Sequence, residues 1–331
     1  MAVALGARGA VAVTRADELV IAPFKDESLG SAAEPPGAVA AVAPALTGSD
    51  PERVYWVSKG KLVRRQLPSD GAVGPLEELA ADGASGVPVA ALRTAATSTR
   101  DLVLYAGAPE GSEGARPPRL WLEGQGSRRL SQEAGSATSV ALIRSGAEAF
   151  VAVSLDGRLG NSSVHAVRVT VDATGKLTLG EDRVVYVGGS AEPDTPLGGL
   201  AVGQGPVIFI PMPKDPTGFG LVSLLIREGA SEAATAWVDY PNGLDPAPVA
   251  TALLCDRPQV AFVRPERGEP GSPQRLELGE VSSDGQVTGI RTLATAKRIV
   301  HVALGAAGPA RGWIAYATDA GLSAQPLGCK P

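Results

Sequence analysis

Seven times along this chain, a run of small residues leads through a tight turn into a strongly apolar segment. The apolar segments read AVAVT (10–14), VYWVS (54–58), LVLYA (102–106), FVAVS (150–154), VIFIP (207–211), VAFVR (260–264) and WIAYA (313–317). They recur at steps of about 44–57 residues, the period of one supersecondary unit repeated many times. No copy can bury its apolar face alone, so neighbouring copies must pack on one another.

Each unit holds more than two strands. In the third, 87–94, 101–106, 119–123 and 127–132 are short runs rich in Val, Leu, Ile or aromatics. Gly, Pro, Asp or Ser bounds them, and no segment keeps a helical period for three turns. The turn between third and fourth strands has its own signature: LPSDGAVG (67–74), VDATGKL (171–177) and VSSDGQV (281–287). In the first and third of these, Asp supplies a local hydrogen bond and Gly a positive φ, which together close an antiparallel hairpin. The ends are less regular. VALGARG (3–9) and VALGAAG (302–308) both begin a unit, and neither end shows a clear fourth strand.

Four-stranded antiparallel units in this number resemble a β-propeller, which leaves only short strand edges exposed. The segment RVYWVSKGKLVRRQLPSDG (53–71) resembles one repeat of the YWTD or TolB-like propellers, and that resemblance covers one unit of the seven. SSDGQVT (282–288) lacks the spacing and closing Trp of a sialidase Asp box. The fold expected is all-β, a seven-bladed propeller of four-stranded blades. It forms one domain over 1–331, with blades at about 1–36, 38–85, 87–135, 137–192, 195–244, 246–298 and 299–331.

Composition narrows the partners. The 331 residues carry a net charge of −5, with 44% hydrophobic, 20% charged and 4% aromatic residues. Ala and Val must fill most of the core. The Arg pairs 64–65 and 128–129 are isolated, so no basic run could neutralise successive phosphates, and nucleic acid is not an expected partner. No run of 18 apolar residues suggests a membrane span. The apolar start, MAVALGARGAVAV, lacks a basic leader and is broken by Arg8. Cys255 and Cys329 fall at strand ends of adjacent repeats, so a disulfide within reach would tie down the C-terminal tail. That bond points to an exported protein, periplasmic or extracellular, with its signal removed; two unpaired thiols would point to the cytoplasm.

Binding is expected on loops held by a rigid scaffold. The second-to-third connections look long in four consecutive repeats: 107–118, 155–163, 212–220 and 265–273. They offer Arg116, Asp156, Arg158, Lys214, Asp215, Glu266 and Arg267, with Phe219 as an apolar anchor for a protein or small polar ligand. The other reading is a hydrolase or lyase at the mouth of a central channel, lined by Arg93, Arg144 and His301. It finds little support. There is no G-x-S-x-G, H-E-x-x-H or phosphate loop, and no Cys/His cluster for zinc. A lone His on a strand, such as His165 or His301, is ordinarily a satisfied structural residue. A lectin is disfavoured as well, because four Trp cannot supply an aromatic platform in every repeat. No cofactor is implied; a structural calcium held by backbone carbonyls would leave no mark in the sequence. Asn161-Ser162-Ser163 fits a glycosylation sequon.

Overall fold

All seven apolar runs lie in antiparallel strands over their described residues in the computed structural model. It describes residues 2–6, 9–13, 19–25, 28–29, 45–47, 52–67, 74–94, 99–111, 114–132, 135–158, 161–189, 195–214, 218–241, 247–269, 271–306 and 311–328. The chain divides into two compact units. The first comprises Met1–Ala43, Thr195–Arg227 and Ala234–Pro331; the second comprises Pro44–Asp194 and Glu228–Ala233.

The first unit opens with the sheet β1 (Ala2–Gly6), β2 (Gly9–Val13), β3 (Leu19–Lys25) and β4 (Ser28–Leu29). In the second unit the chain builds β5 (Ala45–Thr47), β6 (Glu52–Ser58), β7 (Lys61–Leu67) and β8 (Glu77–Ala80). Next come β9 (Ala90–Arg93), β10 (Asp101–Ala106), β11 (Pro118–Leu122) and β12 (Gly126–Arg129). The last sheet of that unit is β13 (Ala137–Arg144), β14 (Ala149–Arg158), β15 (Asn161–Val171) and β16 (Leu177–Val187). The first unit resumes with β17 (Gly198–Val202), β18 (Gly205–Lys214), β19 (Gly218–Leu225) and β20 (Ala234–Tyr240). It continues with β21 (Val249–Leu254), β22 (Arg257–Pro265), β23 (Gln274–Val281) and β24 (Val287–Ala296), and ends with β25 (Ile299–Ala306), β26 (Arg311–Thr318) and β27 (Gly321–Gly328).

Every sheet is a simple up-and-down meander in sequence order. The repeat predicts seven four-stranded sheets. The structure has six, and the final repeat makes a three-stranded sheet. The reason is local: β27 pairs with β26 on one edge, and no described strand hydrogen-bonds to its other edge.

The second strands are the most buried elements. All six residues of β10 are buried, and Val207–Ile210, Val260–Val263 and Ile314–Ala315 lie at 0% exposure. Each fully buried Leu, Ile or Phe contributes roughly 1.5–3 kcal/mol against its exposed state. In the first unit, Phe219, Tyr240 and Phe262 form an aromatic column across two sheets, with centroid separations of 5.8 and 6.2 Å. In the second, Tyr55 and Trp121 meet at 6.3 Å between neighbouring sheets. The small residues of the first strands let sheets approach. A Cβ on Gly198 would lie 3.0 Å from the Thr251 methyl, and Thr251 Oγ1 both accepts from Gly199 N (3.0 Å) and donates to Gly199 O (2.8 Å).

Two of the expected long loops are not loops. β14 runs to Arg158 and β15 starts at Asn161; β18 runs to Lys214 and β19 starts at Gly218. Both pairs are extended hairpins whose ladders keep register as far as Arg158 opposite Asn161 and Lys214 opposite Gly218. The described residues of the other two connections, 107–111 with 114–117 and 266–269 with 271–273, lie outside the strands, and an isolated bridge joins Glu110 to Ala115.

Candidate ligand-binding site

The site is built on one face of the sheet β21–β24, in the first unit. The turn from β21 to β22 has only two central residues, Cys255 (φ 54°) and Asp256 (φ 59°). Both are left-handed, as a type I′ hairpin requires; Asp tolerates this well, whereas Cys does so at a cost of about 1 kcal/mol. Beyond the turn, Arg257 and Gln259 point to one side, because alternate strand residues share a face. Gln259 lies opposite Glu280, and Leu278 lies opposite Arg291. Directly opposed residues also share a face, so Arg257, Gln259, Glu280 and Arg291 converge over buried Leu278. A bulge sets Gly289 and Ile290 against Gly279, with Gly289 at φ 59° supplying the left-handed residue.

These side chains line a cavity of about 250 Å³, open to solvent and bordered also by Cys255, Gly279, Gly289 and Gly328. Gly328 ends β27, so the neighbouring three-stranded sheet forms one wall. The two sheets meet closely because Gly312 has no side chain; a Cβ there would lie 2.9 Å from Leu254. The Arg257 guanidinium meets Glu280 Oε1 at 3.2 Å, both about half exposed. Such a pair is worth about 0–1 kcal/mol and is readily exchanged for a ligand. Arg291 forms no ion pair with any described residue.

The residues singled out in the sequence are mostly committed elsewhere. Asp156 lies in β14, not in a loop; it is buried and accepts from Ser136 N at 3.3 Å. Arg158 closes β14, and its side chain lies outside the described residues, as does all of Asp215. Lys214 ends β18, pairs with Asp239 at 2.6 Å and lies 5.7 Å from the Trp237 ring centre. Phe219 belongs to β19 and packs into the aromatic column, so it is not a projecting anchor. Arg116 is half-buried in the loop before β11, where its backbone N donates to Ser136 Oγ at 3.2 Å. Glu266 pairs with Arg275 at 2.6 Å. Arg267 is exposed, with its backbone N held by Ser272 Oγ at 2.9 Å.

The channel candidates are bound into the framework too. Arg93 donates to Asp101 at 2.9 Å. Arg144 donates to the Arg93 carbonyl and lies 5.1 Å from the Phe150 ring centre; burial lowers its pKa. His301, on β25, is held neutral because burial pushes its pKa down to about 4. His165 is a satisfied structural residue: Nε2 lies 3.1 Å from Ser163 Oγ, Nδ1 lies 3.2 Å from Asp182, and the Ser131 hydroxyl donates to the same carboxylate. That relay ties the end of the β9–β12 sheet to β15 and β16.

Sequence reasoning missed the convergence of Arg257, Gln259, Glu280 and Arg291. The alternation of polar residues in RPQ (257–259) was the available signal, but the bulge that turns Arg291 onto the same face leaves only Gly289 as a trace. It also missed a charged seam in the second unit. There Arg53 reaches Asp101 and Glu123, both at 2.9 Å, and Arg64 reaches Glu123 at 2.8 Å and Glu77 at 2.9 Å.

Among the described residues, no group of three or more His, Cys, Asp or Glu could hold a metal ion. No helix there is long and apolar enough to cross a membrane. No described cysteine is a free thiol, and Cys329 lies outside the described residues.

The architecture matches known structures. A protein of unknown function from Dyadobacter fermentans superposes with a TM-score of 0.53 at 10% identity, over 87% of this chain and 94% of that one. A fungal lectin from Aleuria aurantia, described as a six-bladed β-propeller with a novel fucose recognition mode, gives 0.51 at 14% identity, over 92% and 93%. AofleA from Arthrobotrys oligospora gives 0.50 at 12% identity, over 88% and 85%. The chain is thus a β-propeller of antiparallel, mostly four-stranded blades. No protein-family model matches it, and no curated protein matches it by sequence.

Proposed function

We propose that this chain is a non-catalytic binding propeller, one domain over 1–331, whose cavity on β21–β24 takes a small polar ligand of the saccharide class. One observation carries the reading. Four hydrogen-bonding side chains converge on a cavity floored by Leu278, with glycines where a ligand would approach the backbone. The lining is more polar than a typical drug-sized pocket, with Leu278 its one large apolar side chain, which suits a ligand rich in hydroxyl groups. The lectin neighbour recognises fucose on a similar scaffold, which lends support to a sugar and weakens the objection from the scarcity of aromatics.

The test is saturation-transfer NMR with a panel of monosaccharides, using the whole chain. Transfer to at least one sugar, abolished in a Gln259→Ala/Glu280→Ala double variant, is expected. No transfer to any sugar, or transfer indifferent to those substitutions, overturns the reading.

We further propose the bond between Cys255 and Cys329, and with it an exported protein. Cys255 borders the cavity, so the bond would hold the segment after Gly328 against its rim. Thiol titration of the unfolded, unreduced protein is expected to find none; two reactive thiols would refute the bond.

A further inference from the structure

We infer that the cavity selects an acidic sugar, a hexuronate, over its neutral counterpart. This deepens the binding reading just given and rests on it. The argument is one of local charge. The lining carries two guanidinium groups, Arg257 and Arg291, against one carboxylate, Glu280, in a chain whose net charge is −5. The local excess of positive charge therefore runs against the sign of the whole molecule.

Arg291 has no counter-charge among the described residues, although it stands over Leu278 on the cavity face. Arg257 spends one nitrogen on Glu280 at 3.2 Å and keeps its remaining donors. A guanidinium fork matches a carboxylate in two parallel hydrogen bonds, a geometry a hydroxyl cannot reproduce. Gln259 offers both a donor and an acceptor to ring hydroxyls, and Glu280 accepts from them. Gly279, Gly289 and Gly328 leave room for a ring to lie close to backbone. Asp256 sits in the adjoining turn but does not line the cavity.

Isothermal titration with methyl galacturonide and methyl galactoside, each at 50 and 300 mM salt, tests the inference. The acid is expected to bind at least tenfold tighter at low salt, with the advantage shrinking at high salt. Arg291→Gln, at an exposed position and expected to keep the native circular dichroism spectrum, should weaken the acid far more than the neutral sugar and so remove that advantage. Equal binding of the two sugars overturns the acid preference and leaves the saccharide site standing. An acid preference that survives Arg291→Gln overturns the assignment to this cavity. Binding of neither sugar overturns the inference together with the reading beneath it.

Discussion

Arg53 and Asp101 meet at 2.9 Å across two neighbouring sheets, and the Asp101 side chain is wholly buried. Asp101 also takes Arg93 at 2.9 Å and the Tyr55 hydroxyl. Burial by itself raises the Asp101 pKa, but hydrogen bonds from Tyr55, Arg93 and Arg53 outweigh it and hold the carboxyl below its ordinary value. Asp101→Ala would leave two guanidinium groups facing a gap. We expect a loss of about 3 kcal/mol, the usual result of breaking a buried pair from one side, read by urea denaturation. A loss below about 0.5 kcal/mol, the range of ordinary surface substitutions, would show that the seam is dispensable.

Acid should weaken the fold in two separate windows. His301 is depressed from 6.5 to about 4 in the folded chain, so the unfolded chain binds more protons between those values. Its contribution is complete above pH 6.5 and is lost as pH falls towards 4, at most roughly 3 kcal/mol. Asp101 acts lower: its stabilisation is present above its ordinary 3.8 and is lost as pH falls through its depressed folded value. Thermal melts at pH 7, 5.5 and 4 should therefore show a decline that His301→Gln flattens. An unchanged slope in that variant would remove His301 from the account.

Phe219 should matter to stability and not to ligand. It rests on Tyr240, which stacks on Phe262 at an interplanar angle of 8°. Phe219→Ala is expected to cost about 2 kcal/mol, below the range for a fully buried aromatic because the ring is only partly covered. Sugar affinity should be unaltered, and a variant of native stability with lost affinity would return Phe219 to the binding surface.

Gly220→Ala tests how tightly β19 packs against β20 beside that column. A Cβ at that position would lie 2.7 Å from the Val238 carbonyl oxygen and 3.1 Å from the Trp237 ring. Backbone cannot swing aside as a side chain can, so a loss of about 1–3 kcal/mol is expected. Neutral behaviour in a thermal melt would mean that β19 and β20 can part without cost.

The strands were legible because their signals are local. Second strands such as LVLYA (102–106) and VAFVR (260–264) are apolar runs bounded by turn residues, and that pattern needs no partner to be read. The ends were half legible: the last repeat shows no clear fourth strand in sequence and has three strands in the structure, whereas the first repeat read the same way yet pairs the two-residue β4 (Ser28–Leu29) with β3, a strand too short to leave a pattern. Polar residues near apolar runs misled. Asp156, Lys214 and Phe219 read as loop because Gly and Pro follow or surround them, yet the ladders continue as far as Arg158 opposite Asn161 and Lys214 opposite Gly218. The cavity required knowing which residues oppose one another. Gln259 with Glu280, and Leu278 with Arg291, are cross-strand facts set by register and by a bulge.

The two-residue hairpin at Cys255 and Asp256 fixes the phase of everything downstream in β22. Side chains along a strand alternate, so one residue inserted at that tip would invert the ribbon. Pro258 and Val260 would then replace Arg257 and Gln259 in the cavity lining, and two polar groups would be driven into the opposite, apolar layer. Chemistry at this spot therefore depends on loop length as strictly as on residue identity, and homologues with a longer tip should bind something else or nothing.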